Sequence, residues 1–152
     1  MSDARFEDGR SAPLNLGALD AEDLKIISSL AQDAVFPATE MRFNKSQRRF
    51  ALLLNRFRWE EGSANPERVQ SLLVFDAVLA VASQGLDRTD TDTVLSLLSI
   101  WFEETDAPGG HIHLTLAGDG AVRLTIEALD ASLKDVTKPY IAPSKKTPHH
   151  PD

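Results

Sequence analysis

Cysteine is absent from the 152-residue chain. Its absence excludes a disulfide framework, thiolate metal sites, iron–sulfur clusters and a cysteine nucleophile. Long apolar runs are missing too. The longest, residues 71–82, is interrupted by Asp76 and is too short to cross a bilayer. Positive charge is in deficit, with 16 Lys and Arg against 23 Asp and Glu, a net charge of -7 and a pI near 5.0. The surface as a whole therefore does not favour phosphate backbones. The chain has no Gly-x-Ser-x-Gly, no Walker A pattern, no Gly-x-Gly-x-x-Gly opening a helix after a strand and no His-Glu-x-x-His. No cofactor is implied, and the balance lies against an enzyme, although a site assembled from distant residues leaves no such trace.

What is present is an ordinary globular composition, 42% hydrophobic and 26% charged, which fits one domain with a full core. Residues 1–13 are polar, carry Asp3, Glu7 and Asp8 and lack an apolar leader core, so a cytoplasmic protein with a disordered N-terminal tail is expected. Residues 141–152 hold Pro143, Pro148 and Pro151 among Lys, Ser and His and read as a second disordered tail. Between them, residues 14–140 are expected to form one α+β domain.

Asp20 is a plausible N-cap for a helix over 21–35, with Glu22 and Asp23 in its first turn and Leu24, Ile27, Leu30 and Ala34 on one face. Just before it, residues 14–16 suit either a strand or a loop. Thr39, Met41 and Phe43 then alternate with polar residues as in a half-buried strand, and residues 48–59 return after a polar turn. Residues 68–85 suit a long or broken strand better than a helix, on their Val, Phe and Ser content. A strand is expected over 94–103, then a turn at 106–110. The clearest hairpin pairs 111–116 with 122–127, so that Ile112, Leu114 and Leu116 meet Val122, Leu124 and Ile126. Residues 128–136 are ambiguous, with Leu129, Leu133 and Val136 favouring a short helix. One N-terminal helix and several sequential strands predict a mostly antiparallel, strongly curved sheet or a small barrel of pleckstrin-homology-like size.

Two groups of residues carry chemistry. In the first, Arg42, Lys45, Arg48, Arg49, Arg56, Arg58 and Arg68 outnumber the carboxylates between Glu40 and Arg68 and lie among Phe43, Phe50, Phe57 and Trp59. A basic hairpin face could grip an anionic partner, with Arg42, Arg48, Arg49, Arg56, Arg58 and Trp59 in contact, or stack and bind nucleic acid, a less favoured use. The competing reading buries the aromatics and leaves the arginines as a solvated face.

In the second group, His111 and His113 sit two apart on one strand, roughly 6.5–7 Å between Cα atoms. Such a pair can reach one transition metal with a carboxylate as third ligand. No Glu stands at the offset of a cupin-type site and the other two histidines, His149 and His150, lie in the tail, so the sequence favours ordinary outer-face residues. Asp87, Asp90 and Asp92 lack the spacing of a calcium loop and read as turn residues. Glu103 and Glu104 read as surface.

The run from Arg48 to Glu60, RRFALLLNRFRWE, resembles the signature of a bacterial family classed as a domain of unknown function. Residues 19–24 and 32–35 fit its beginning, and 85–88 and 94–98 its middle. The resemblance spans roughly 14–136, implies no activity and carries over no catalytic residue. The reading that follows is a non-enzymatic binding or scaffold module for a protein or anionic ligand, away from membranes. A sheet edge offers a route to a homodimer. The rivals are a metal-dependent enzyme or metal-binding protein using His111 and His113, and a nucleic-acid binder using the basic hairpin.

Overall fold

The computed structural model describes residues 13–59, 67–86, 92–138 and 140–141. Nearly all of both expected tails, and Asp87 and Asp90, lie outside them. The strands are β1 (Asn15–Ala18), β2 (Val35–Pro37), β3 (Met41–Asn44), β4 (Arg49–Phe57), β5 (Glu67–Phe75), β6 (Val78–Gln84), β7 (Val94–Asp106), β8 (Gly109–Leu116), β9 (Ala121–Ile126), β10 (Ala131–Asp135) and β11 (Tyr140–Ile141). With helix α1 (Ala21–Ala31) they make the expected α+β architecture with antiparallel pairing throughout.

Asp20 caps α1 as expected, its Oδ1 accepting from the Asp23 N–H at 2.8 Å, and Leu24, Ile27 and Ala31 face the core. The helix stops at Ala31 rather than at 35. Asp33 turns the chain at a φ of 66°. Its N–H donates to the Leu97 carbonyl, and the Leu97 N–H donates to the carbonyl of Ala34. Strand β7 thus captures the chain, and Val35–Pro37 becomes a strand between β4 and β7. The 68–85 segment breaks into two strands at Asp76 and Ala77, where Ala77 takes a φ of 58°.

Residues 128–136 do not coil. Ala131, Leu133 and Asp135 alternate inward along β10, which pairs with β5 on one side and β1 on the other. Leu129 and Leu133 are both buried, so the four-residue spacing that suggests a helix arises from a chain segment entering a strand. The same pairing settles 15–18 as a strand.

The sheet runs β1-β10-β5-β4-β2-β7-β8-β9-β6, with β3 beside β4 and β11 beside β5. It does not close into the expected barrel: among the described residues β1 and β6 end the path without pairing to each other. Helix α1 packs on β7, β1, β4 and β10 through Leu24, Ile27 and Ala31. One hydrophobic cluster takes Phe50, Leu52 and Leu54 from β4, Leu73 and Phe75 from β5, and Ile112, Leu114, Leu124 and Ile126 from the β8–β9 hairpin. Each such side chain contributes roughly 1.5–3 kcal/mol on burial, so the fold rests on its apolar core.

Strand β7 joins the two halves. Residues 94–96 pair with β2, whereas Leu97 onward pairs with β8. A register shift between Leu97 and Ser99 marks the change. The Ile100 N–H is satisfied by Ser28 Oγ of α1 at 2.9 Å. Beyond this point Trp101 stands opposite His113 and Glu103 opposite His111. No helix among the described residues is long and apolar enough to cross a membrane.

Candidate functional site

The basic hairpin does not present one arginine face. On β4 the inward residues are Phe50, Leu52, Leu54 and Arg56, so Arg56 occupies a core position and is 0% exposed. Its Nε lies 3.1 Å from both Ser71 Oγ and Asp135 Oδ1, and its Nη2 donates to Asp135 Oδ2 at 3.1 Å. Ser71 Oγ donates to Asp135 Oδ1 at 2.6 Å, and Asp135 Oδ2 also accepts the Leu14 N–H. Arg58 is buried as well and donates to Glu67 at 2.6 Å. Arg56 and Arg58 therefore hold strands together from inside, which corrects the expectation that they face a partner.

Of the other members, Arg48 pairs with Glu127, and Arg49 pairs with Asp76 at 2.8 Å. Arg42 is exposed on β3. Trp59 packs edge-on against Phe57, with ring centroids 4.7 Å apart, and its Nε1–H donates to the Gln32 carbonyl past the end of α1. An anionic partner or nucleic acid would meet Arg42, Arg48 and Arg49 from this set, the last two already bound to carboxylates.

The histidine pair finds the partner that the sequence did not offer. The β7–β8 hairpin turns at Ala107 and Pro108, and its register places Glu103 across from His111 on the outer sheet face. Glu103 Oε1 lies 2.9 Å from His113 Nε2 and 3.6 Å from His111 Nδ1. One ligand atom from each of Glu103, His111 and His113 can be chosen so that all three lie within 4.8 Å of one another. Both imidazoles are about three-quarters covered, at 26% and 24% side-chain exposure, while Glu103 is half open at 48%.

The electrostatics keep this carboxylate charged. The hydrogen bond with His113 is the largest influence holding the Glu103 carboxyl below its ordinary range; the nearby His111 ring acts in the same direction, and burial opposes both. Trp101 fixes one wall. Its ring stacks on His113 with centroids 4.0 Å apart and planes 15° from parallel, which limits rotation of that imidazole. On the other side Arg123 of β9 stands opposite His113 in the register.

A zinc-type ion with Zn–N and Zn–O bonds near 2.0–2.1 Å needs ligand atoms about 3.3–3.4 Å apart in tetrahedral geometry. The two Glu103–His separations bracket that value, and the three ligand atoms lie within 4.8 Å of one another, so the imidazoles have to close on the ion when it binds. Two imidazoles and one carboxylate leave a fourth position facing solvent, the donor set of open rather than closed zinc sites. Glu103, Trp101 and Arg123 were missed from the sequence. Counting the hairpin register outward from the 106–110 turn would have found Glu103; nothing local marks Arg123.

A family model described as a protein of unknown function (DUF2948) matches residues 14–150. The chain belongs to this family. The DUF2948 match thus includes β1 through β11 and the Glu103–His111–His113 cluster. No curated protein and no solved structure matches the chain.

Proposed function

We propose that this DUF2948 member binds a divalent transition-metal ion through Glu103, His111 and His113 on the outer face of the β7–β8 hairpin. The observation that carries the reading is the convergence of three ligand atoms within 4.8 Å from two adjacent strands. Each strand is held by its own inward side chains: Ile100 on β7 and Ile112 and Leu114 on β8 are buried. The ligands are therefore carried on strands that the apolar core holds in place. Imidazole nitrogens with one carboxylate oxygen suit zinc, cobalt, nickel or iron better than calcium or magnesium, which prefer all-oxygen shells. Three protein ligands leave the ion accessible, so it can take a ligand from solution.

The test is equilibrium dialysis of the full chain against Zn²⁺ and Co²⁺, with His149→Ala and His150→Ala introduced to remove the tail histidines. One equivalent of metal is expected to bind. His111→Ala and His113→Ala should each weaken binding by about a hundredfold or more, at or above the upper end of what losing an outer-shell partner costs. Glu103→Gln should weaken it at least about tenfold. Undiminished affinity in all three variants, or loss of all binding on removing the tail histidines alone, would overturn the reading.

A further inference from the structure

Next to the three ligands the outer sheet face carries a shallow groove of about 270 Å³, lined by Ala82, Ser83 and Gln84 of β6, His113 of β8, and Val122 and Arg123 of β9. The register places the small Ala82 beside Arg123 and Ala121 beside Gln84 on this face. Arg123 is exposed, and among the described residues its side chain carries no ion pair or hydrogen bond. That separates it from Arg48, Arg49, Arg56 and Arg58, each of which holds a carboxylate.

We infer that the groove binds a small oxyanion, a carboxylate or phosphate, held at one end by the metal ion's open position and at the other by the Arg123 guanidinium. The inference rests on the metal reading. Three features converge on it. A metal held by two neutral imidazoles and one carboxylate keeps net positive charge and an open position, which favours an anionic fourth ligand. Arg123 stands directly across the ladder from the ligand His113, and a guanidinium offers the forked donors that oxyanions accept in pairs. At about 270 Å³ the groove is at the small end of ligand sites, usually roughly 300–1,000 Å³, which leaves room for a small anion. Gln84, on the same face as Ala82 and Arg123 by the register, adds a neutral amide to the lining.

The test uses the Co²⁺-loaded full chain with His149→Ala and His150→Ala, titrated separately with malonate and inorganic phosphate while the visible Co²⁺ absorption is followed. Dialysis checks that the cobalt stays with the protein. At least one of the two anions should change the spectrum and saturate, and the responding anion tells carboxylate from phosphate. Arg123→Gln should raise the dissociation constant of that anion about tenfold or more and leave Co²⁺ affinity within about twofold. Equal anion affinity in wild type and Arg123→Gln, a spectrum indifferent to both anions, or equal anion binding without metal would each overturn the inference. Failure to bind Co²⁺ defeats the metal reading and this inference with it. Co²⁺ binding without an Arg123-dependent anion defeats this inference alone.

Discussion

Two polar clusters occupy opposite faces of the same sheet path. Arg56, Ser71 and Asp135 lie on the inner face of β4, β5 and β10, and Glu103, His111 and His113 lie on the outer face of β7 and β8. Both join a carboxylate to nitrogen donors across strands. The inner one is sealed: Arg56 and Asp135 side chains are 0% and 3% exposed, and Asp135 accepts from Arg56, Ser71 and the Leu14 backbone. The outer one is half open and its carboxylate is shared between two rings. A buried ion pair with its lone pairs used up has no capacity left for a ligand and acts on register. An exposed triad with spare nitrogen and oxygen lone pairs can exchange its internal contacts for a metal.

Breaking the inner cluster should give the largest effect on stability. Asp135→Ala strands the Arg56 charge in the core and should cost about 3–5 kcal/mol, read by urea denaturation. Arg56→Met with Asp135→Leu removes both charges and should recover most of that loss. A single variant with less than about 1 kcal/mol of destabilisation would show that Arg56 escapes to water.

A smaller effect should follow from the turn that sets the outer cluster. A Cβ on Gly110 would meet the Glu103 carbonyl oxygen at 2.1 Å and the Glu104 Cα at 2.9 Å. Gly110→Ala therefore has to move β7 away from β8, at roughly 1–3 kcal/mol. It should weaken Zn²⁺ binding as well, because Glu103 shifts relative to His111. A variant with both stability and metal affinity unchanged would mean the hairpin register does not position the ligands.

The smallest change is expected at the outer carboxylate itself. Glu103→Gln without metal should leave the urea denaturation midpoint essentially where it is in the wild type, since the group is half exposed and its contacts with the two rings are screened by solvent. The same variant loses at least about tenfold in metal affinity. A large stability loss without metal would recast Glu103 as a structural anchor and remove the contrast between the two clusters.

Periodic elements with matched local chemistry were legible. The cap at Asp20 and the 111–127 hairpin follow from spacing and turn residues, and the structure has both; composition favoured a long or broken strand over 68–85, and the structure supplies the break at Asp76 and Ala77. Strand β10 was not legible, because its third inward residue is Asp135 rather than an apolar one, and the alternation is hidden until Arg56 is placed opposite. Arg56 was misread for the same reason. An arginine ordinarily belongs at the surface, and the aspartate that permits its burial is 79 residues away. His111 and His113 were visible as a pair, but their third partner lies on another strand, so it is seen only when the cross-strand register is counted. The barrel expectation failed on a longer-range feature, whether the terminal strands β1 and β6 pair with each other, which no local pattern encodes.

The most direct test of the outer cluster as a metal site leaves every residue intact. Histidine-ring ¹⁵N spectra of the wild-type chain can be followed as Zn²⁺ is added to one equivalent. Of the four histidines, His111 and His113 should show ligated ring nitrogens, while His149 and His150 stay unchanged. Shifts confined to His149 and His150, or no shift at any ring, would contradict the account.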